Sequence, residues 1–163
     1  MQWDSSSFGG FTKGDKTWLR VNPNYSEINV AEQETNEYSV LSFYKKMITL
    51  RKKEKVLIYG KYDYIQNQHP SIVAYTRTIE HSKALILCNF GKEPAQHTLT
   101  IHDGELVLHN YEEMDDEYLL QPYEARVYLF HSKKKRVNRN GYYMVEEVSG
   151  LSNLPKKLFR YKW

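Results

Sequence analysis

The stretches Ile72-Val-Ala-Tyr-Thr-Arg-Thr78 and Ala84-Leu-Ile-Leu-Cys-Asn89 decide the fold of this chain. The first alternates in side-chain character and the second is apolar almost throughout, and turn-type residues separate the two. A period of two is typical of a strand, so we predict two antiparallel strands here. The side chains of Ile72, Ala74 and Thr76 should face one side of the sheet. Those of Val73, Tyr75 and Arg77 should face the other side.

The same period continues through the segment that follows Gly60. It predicts further strands at Lys61–Ile65, His97–Ile101, Glu105–Asn110 and Ala125–Phe130, with weaker candidates at Val56–Tyr59 and Tyr118–Leu120. Because no helical pattern alternates with these strands, a parallel sheet is excluded. We therefore predict a mainly β fold class, an antiparallel β-sandwich, for this part of the chain.

Residues 37–54 carry the strongest helical pattern. Their apolar stripe has a period of 3.6 and consists of Val40, Leu41, Tyr44, Met47 and Ile48. Asn36 is the expected N-cap, and the basic residues 51–53 suit the C-terminal end of a helix. The stripe is broad, so we expect this face of the helix to bind another protein surface, which can be that of a second copy of the chain. A shorter helix is predicted at residues 29–34, with Asn29 as its N-cap.

Residues 1–27 are expected to form an ordered but irregular loop. Gly9, Gly10 and Gly14 interrupt any period, and Asn22-Pro23-Asn24 is a turn signal. Phe8, Phe11, Trp18 and Tyr25 supply apolar anchors. A loop of this length without secondary structure is usually functional.

Length and composition restrict the class of protein. The chain has 163 residues, whereas a complete (β/α)₈ barrel needs roughly 200 or more. It is 40% hydrophobic and 26% charged, which is the composition of a folded protein rather than a disordered one. No apolar run approaches the roughly 18 residues of a membrane span. Cys88 is the single cysteine, so no intrachain disulfide can form, and we expect a cytoplasmic location without a membrane.

The titratable residues form no recognisable catalytic or metal-binding set. The acidic cluster at residues 112–117 is expected to be a solvated loop, and Cys88 a buried core residue. The six histidines lack the spacing that brings two imidazoles together on a helix, so we expect them at surfaces and strand ends. No phosphate-binding glycine motif occurs. No metal and no cofactor is therefore predicted.

Residues 132–163 differ from the rest in charge. They carry nine Lys and Arg and two Glu, a net charge of +7, against −4 for residues 1–131. This basic tail could bind polyanions through charge alone, but no accompanying motif predicts specific nucleic-acid recognition. Tyr142–Val145 is a possible strand, and residues 151–159 a weak helical turn.

A set of motifs occurs in order along the first part of the chain: Met-Gln-Trp-Asp at 1–4, Gly-Phe-Thr at 10–12, Val-Asn-Pro-Asn-Tyr-Ser-Glu-Ile-Asn-Val at 21–30, Ser-Phe-Tyr-Lys-Lys-Met-Ile at 42–48 and Tyr-Gly-Lys-Tyr at 59–62. The set continues with His-Pro-Ser-Ile-Val-Ala-Tyr-Thr-Arg-Thr at 69–78, Cys-Asn-Phe at 88–90, His-Asn-Tyr at 109–111 and Gln-Pro-Tyr-Glu-Ala-Arg-Val-Tyr at 121–128. Taken together, these motifs resemble the C-terminal part of the oligo-1,6-glucosidases, glycoside hydrolases of the α-amylase superfamily.

The resemblance implies three regions. Residues 1–54 would be the loop and last helix left over from a catalytic (β/α)₈ barrel, residues 55–131 a C-terminal β-sandwich domain, and residues 132–163 a tail of unknown role. The catalytic carboxylates of such enzymes belong to barrel strands that precede the Met-Gln-Trp-Asp motif, so no catalytic residue is expected in this chain. Gln2, Trp3 and Asp4 are expected near the substrate of the complete enzyme.

The resemblance also implies a substrate class. The complete enzyme would hydrolyse α-1,6 or α-1,4 bonds of gluco-oligosaccharides, and the chain would meet that substrate only as part of it. Two alternatives remain: part of a trehalose-6-phosphate hydrolase, or a non-catalytic β-domain whose aromatic residues bind carbohydrate or protein.

Overall fold

The chain forms two compact units in the computed structural model, which describes residues 1–66, 69–114 and 116–131 and the backbone of residues 151 and 152. The first unit is Met1–Lys53, and the second begins at Glu54. The first unit contains short 3-10 turns and two α-helices, whereas the second is mostly antiparallel sheet. The prediction of a mainly β, antiparallel fold is confirmed for the second unit.

The longer strands of the second unit follow the predicted pattern, whereas two of the two-residue strands were not predicted. In chain order they are β1 (Lys61–Ile65), β2 (Ile72–Ile79), β3 (Ser82–Asn89), β4 (Ala95–Gln96), β5 (Thr100–Ile101), β6 (Glu105–His109), β7 (Leu119–Leu120), β8 (Ala125–His131) and β9 (Leu151–Ser152). Five of them form one antiparallel sheet in the order β1-β2-β3-β8-β6, and β4 pairs with β7 and β5 with β9.

The β2–β3 hairpin has the alternation that its sequence predicts. Ile72, Ala74 and Thr76 are buried, while the residues between them are only half-buried. In the register, Ala74 lies opposite Leu87 and Thr76 opposite Leu85, so one face of both strands points into the core.

The core lies between that face and the β4–β7 ribbon. Ala95 of β4 and Leu120 of β7 pack in one buried cluster with Leu85, Leu87 and Phe130 of the large sheet. Leu99 belongs to the same cluster and is 1% exposed. The predicted strand His97–Ile101 is therefore only partly right: its alternate residues are buried, but only Thr100–Ile101 has ladder pairing.

The prediction of a strand at Val56–Tyr59 is wrong, because these residues form a single helical turn, α3. Four consecutive apolar residues are compatible with a buried strand and with a buried helical turn, so their apolar character alone does not distinguish the two structures. Arg77 of β2 donates from Nε to the Val56 carbonyl at 3.3 Å and from Nη2 to the Ile58 carbonyl at 3.1 Å. The Val56 carbonyl also accepts the Gly60 amide at 3.1 Å, so Arg77 adds a second donor there and supplies one to the Ile58 carbonyl near the C-terminal end of the turn.

The first unit contains helix α1 (Val30–Thr35) and helix α2 (Val40–Lys53). Asn29 caps α1 as predicted, since its side chain accepts a hydrogen bond from the Glu32 amide at 2.9 Å. The predicted cap of the longer helix is wrong. Asn36 instead accepts from the Tyr38 amide, while Ser39 Oγ accepts from the Ser42 amide at 3.1 Å. No described helix is long and apolar enough to cross a membrane.

A buried ion pair holds the loop before β8. Arg126 and Glu124 are each 1% exposed, and Arg126 Nε lies 2.6 Å from Glu124 Oε1. The guanidinium also donates to three backbone carbonyls: Asp116 and Glu117 at 2.9 Å and Leu119 at 2.6 Å. The side chains of Asp116 and Glu117 are not buried, but their backbone is clamped to the sheet, so the acidic cluster is not simply a solvated loop.

Two predictions about single residues are corrected. His97 is 3% exposed rather than at the surface. It is the residue directly after β4, and the Glu117–Tyr118 segment covers it. Cys88 is half-buried rather than in the core. It lies opposite Val73 in the register, on the other face from Leu87, and partial burial raises the pKa of its thiol.

The basic tail is described only at residues 151 and 152. Their backbone pairs with β5, so a helical turn beginning at Leu151 is wrong at its first two residues. The predicted strand Tyr142–Val145 and the remainder of the tail lie outside the described residues.

Candidate functional site

The N-terminal segment of the first unit holds the three residues that were expected near a substrate. The Val30 amide donates to the Gln2 carbonyl at 2.9 Å, and the Ala31 amide donates to the Trp3 carbonyl at 3.0 Å. Backbone bonds therefore fix the segment against the first turn of α1. The three side chains nevertheless have quite different surroundings.

Gln2 is an anchor. Its side chain is largely buried, and Nε2 donates to Asn24 Oδ1 and to the Ile28 carbonyl, both at 3.0 Å. Both amide hydrogens are thus occupied inside the unit. A side chain at Gly9, where φ is +61°, would lie 3.1 Å from Gln2 Cβ. Gln2 therefore positions the segment and has no free donor for a ligand.

Trp3 presents its indole outward. Its backbone amide donates to the Gly9 carbonyl at 2.9 Å, while the residue is 59% exposed. A large exposed indole offers a flat apolar surface together with one N–H donor. Such a group can stack on a ring-shaped ligand.

Asp4 is held as a carboxylate. The Ser6 hydroxyl and the Ser6 amide both donate to Asp4 Oδ1, and these hydrogen bonds lower the pKa of Asp4 below its usual value. A Cβ at Gly10, where φ is +72°, would lie 2.8 Å from Asp4 Oδ2. A side chain at position 10 would therefore clash with the Asp4 carboxylate. An ionised Asp4 can accept hydrogen bonds from hydroxyl groups but is poorly suited to donate a proton.

A cavity of about 510 Å³ opens in the loop that follows. Its lining comes entirely from the loop and includes Phe11, Lys16, Trp18 and Arg20. Trp18 is 97% exposed and Leu19 76% exposed. The loop thus leaves large apolar side chains uncovered beside two cations, and Trp18, expected to be an apolar anchor of this loop, is almost fully exposed.

Within the part of the chain that the structure describes, no three His, Cys, Asp or Glu side chains gather where they could hold a metal ion. The arrangement of Gln2, Trp3 and Asp4 is therefore one of stacking and hydrogen bonding, in which only Trp3 and Asp4 face outward.

Comparisons with known proteins agree with these observations. Residues 1–60 match the family described as "Alpha amylase, catalytic domain". The oligo-1,6-glucosidase of Bacillus cereus is 41% identical over 135 residues, and that of Halalkalibacterium halodurans 42% identical over 139 residues. These matches cover 78% and 79% of this chain and 24% of each relative.

Solved structures match over a similar share of the chain. The isomaltulose synthase of Klebsiella sp. LX3 superposes with a TM-score of 0.71 at 37% identity, and the trehalulose synthase MutB of Pseudomonas mesoacidophila MX-45 with 0.70 at 34%. Each match covers 78% of this chain and 24% of the other.

Fold and sequence together relate this chain to part of the enzymes of the α-amylase superfamily. Over most of its length the chain is homologous to the oligo-1,6-glucosidases, and its first 60 residues match the alpha-amylase family. It spans about a quarter of the length of these relatives.

Arg126, Glu124 and His97 are buried polar residues that the sequence pattern did not single out. A signal for the ion pair existed, because Glu124 and Arg126 have opposite charge and lie only two residues apart in the sequence. Their burial depended on the loop above them, which the local pattern does not encode. For His97 the signal was its alternation with Leu99, both of which are buried.

Proposed function

We propose that this chain supplies the C-terminal part of a cytoplasmic α-glucosidase of the oligo-1,6-glucosidase kind and is not catalytic by itself. Residues 1–54 would end the catalytic barrel, with α2 as its last helix, and residues 55–131 would be the C-terminal β-sandwich. The match of residues 1–60 to the catalytic-domain family supports the first assignment. The antiparallel sheet supports the second.

The observation that carries the proposal is the uncovered face of α2. No residue of this helix is buried, and four apolar side chains of its stripe are between 36% and 64% exposed: Val40, Tyr44, Met47 and Ile48. An amphipathic helix normally buries such a stripe against other elements. An exposed stripe of this kind marks an interaction surface, and the last helix of a barrel would bury it there.

The proposed substrate is an α-linked gluco-oligosaccharide, bound only by the complete enzyme. Trp3 would stack on a sugar ring and Asp4 would accept hydrogen bonds from its hydroxyls. The same share of the chain matches oligo-1,6-glucosidases and enzymes titled isomaltulose and trehalulose synthase. This region therefore does not select among the activities, and a trehalose-6-phosphate hydrolase remains the alternative parent enzyme.

We expect a fusion to test this function. The chain is joined behind the part of the Bacillus cereus oligo-1,6-glucosidase that precedes the matched region, and hydrolysis of isomaltose is measured. Correct closure of the barrel should raise kcat/KM about 10²-fold or more above that of the truncated relative. Even a misplacement of catalytic groups by about 1 Å can lower the rate by about that factor. The isolated chain should show no turnover.

Two variants of the fusion separate binding from folding. Trp3→Ala should raise KM while the melting temperature stays unchanged, whereas Gln2→Ala should lower the melting temperature, because it leaves Asn24 Oδ1 and the Ile28 carbonyl without their donor. Turnover by the isolated chain, or a fusion no better than the truncated relative, would overturn the proposal.

The uncovered α2 face also predicts self-association when no barrel is present. We expect the isolated chain to form concentration-dependent dimers in sedimentation velocity, and Met47→Glu to return it to a monomer by placing a charge in the apolar contact. Phe90→Glu is the control, since Phe90 is 68% exposed but lies in the second unit. A chain that stays monomeric at high concentration, or an equal effect of both variants, would contradict this.

One observation favours the alternative of a carbohydrate-binding β-domain. Tyr62 and Tyr64 of the edge strand β1 are 52% and 54% exposed, and the Tyr62 and Tyr75 rings lie 5.0 Å apart between centroids. They could form a stacking platform independent of any barrel. Calorimetric binding of maltotriose by the isolated chain, lost in Tyr62→Ala, would favour this alternative.

A further inference from the structure

His97 is a buried titratable residue at a junction between two segments of the second unit. Its backbone amide donates to the Tyr118 carbonyl at 2.9 Å. Its Nε2 lies 2.9 Å from the Glu117 carbonyl. A carbonyl can only accept, so Nε2 carries the ring hydrogen. Through its backbone amide and its side chain, His97 thus holds the chain after β4 against the segment before β7.

The other ring nitrogen has no hydrogen-bond partner. His97 Nδ1 is buried and unpaired among the described residues. In the neutral ring Nδ1 is a hydrogen-bond acceptor without a hydrogen, and leaving it without a donor costs little free energy. In the charged ring Nδ1 would carry a hydrogen inside the protein; the Leu99 backbone favours that charge, but burial disfavours it more strongly.

Charged and aromatic groups surround the ring. Arg126 of β8 donates from Nη1 to the same Glu117 carbonyl that His97 contacts, at 2.9 Å. Arg126 is in turn paired with Glu124, and the next inward residue on its strand is Tyr128. From the facing segment come the carboxylate of Glu117 and the Tyr118 ring, whose centroid is 5.9 Å from that of His97.

These groups act on the charge of His97 in opposite directions. Burial disfavours the charged ring most, and the Arg126 cation adds to that effect. The carbonyl and carboxylate of Glu117 and the backbone of Leu99 oppose it, and the net result is a pKa below the usual 6.5. The unfolded segment would therefore take up a proton at a higher pH than the folded one.

We propose that His97 is a pH-sensitive latch, which when neutral fastens residues 116–119 to the segment after β4 and when protonated releases them. The release would also loosen the β4–β7 ribbon, because Gln96 pairs with Leu119 one residue away. This inference concerns the second unit alone and does not depend on the proposed glucosidase activity.

The sign of the pH dependence follows from the direction of the shift. Above the ordinary pKa of 6.5 both folded and released forms are neutral, and the latch has its full stability. As the pH falls below that value, the released form is protonated first, and opening becomes about tenfold easier per unit of pH until the folded ring titrates as well.

Hydrogen exchange on the full chain tests the latch. Amides of residues 116–120, compared at about pH 7.5 and about pH 5.5 after correction for intrinsic exchange, should lose about tenfold in protection at the lower pH. His97→Gln keeps a neutral donor that cannot titrate, so its protection should not change with pH. His131→Gln is the control, because His131 is an exposed histidine of the same unit and should leave the response intact.

A second measurement keeps the test decisive if His97→Gln does not fold. Nitrogen-15 chemical shifts of the wild-type ring should report a hydrogen on Nε2 and titration below the usual range. A ring that titrates normally, or a pH response that survives in folded His97→Gln, would overturn the latch.

Discussion

Replacing Arg126 with alanine is expected to lower the free energy of unfolding of the second unit by about 3–5 kcal/mol, the cost of removing one member of a buried ion pair. The side chain is 1% exposed and donates to Glu124 and to three backbone carbonyls. Alanine would leave the Glu124 carboxylate buried without its cation. It would also remove the clamp on residues 116–119.

Urea denaturation of the full chain, followed by circular dichroism, measures this loss. The control is Asp63→Ala, which breaks the Lys61–Asp63 ion pair. There Lys61 Nζ and Asp63 Oδ1 are 3.4 Å apart, and the side chains are 70% and 56% exposed. An exposed pair contributes at most about 1 kcal/mol. Equal, small losses in the two variants would show that the buried pair is dispensable.

The central sheet was predictable because its signal is local. In β2 the alternation of the residues matches the alternation of their burial, so a period of two was sufficient to give the strand and its faces. Strand β1 was predicted with the bounds that the structure has.

The failures occur where a distant partner decides the outcome. Val56–Tyr59 is helical, and two of its carbonyls, those of Val56 and Ile58, accept from Arg77 about twenty residues away. Ser39 replaces Asn36 as the cap of α2, and its hydroxyl donates to the Gln33 carbonyl at 2.6 Å. His97 is buried because a segment twenty residues later covers it. None of these partners can be identified from the pattern around the residue itself.

The candidate site shows the same limit. The resemblance gave Gln2, Trp3 and Asp4 one shared role near a substrate, as neighbours in a motif. In the structure Gln2 turns inward to Asn24 and Ile28, while Trp3 stays outward. Whether a motif residue supports the site or faces the ligand depends on the loop that returns over it, which only the fold supplies.

The second large effect on the free energy of unfolding is expected at Asn89, whose side chain forms hydrogen bonds to three segments. It is 2% exposed, and Nδ2 donates to the carbonyls of Glu93, Leu120 and Gln121 at 2.8, 3.3 and 3.0 Å. Its Oδ1 accepts from the Gly91 amide at 2.8 Å. One amide group thus joins the end of β3 to the loop after it and to the end of β7.

Asn89→Asp should therefore cost about 3 kcal/mol or more at neutral pH, although the two side chains have nearly the same shape. A carboxylate keeps the bond from Gly91 but cannot donate, so a buried negative charge would face three carbonyl oxygens. Those surroundings should raise the pKa of the new carboxyl in the folded state. The loss should consequently shrink as the pH falls, because a protonated carboxyl can again donate one hydrogen bond.

Asn110→Asp makes the same chemical change at an exposed position. Asn110 Nδ2 donates to the Tyr123 carbonyl at 3.0 Å, and Oδ1 accepts from the Ala125 amide at 2.8 Å, but water can replace the lost donor. We expect a loss of about 1 kcal/mol or less, with little dependence on pH. Urea denaturation of both variants at neutral and acidic pH separates the cases. If Asn89→Asp were as mild as Asn110→Asp, or grew worse on acidification, the three carbonyl contacts could not be what holds these segments together.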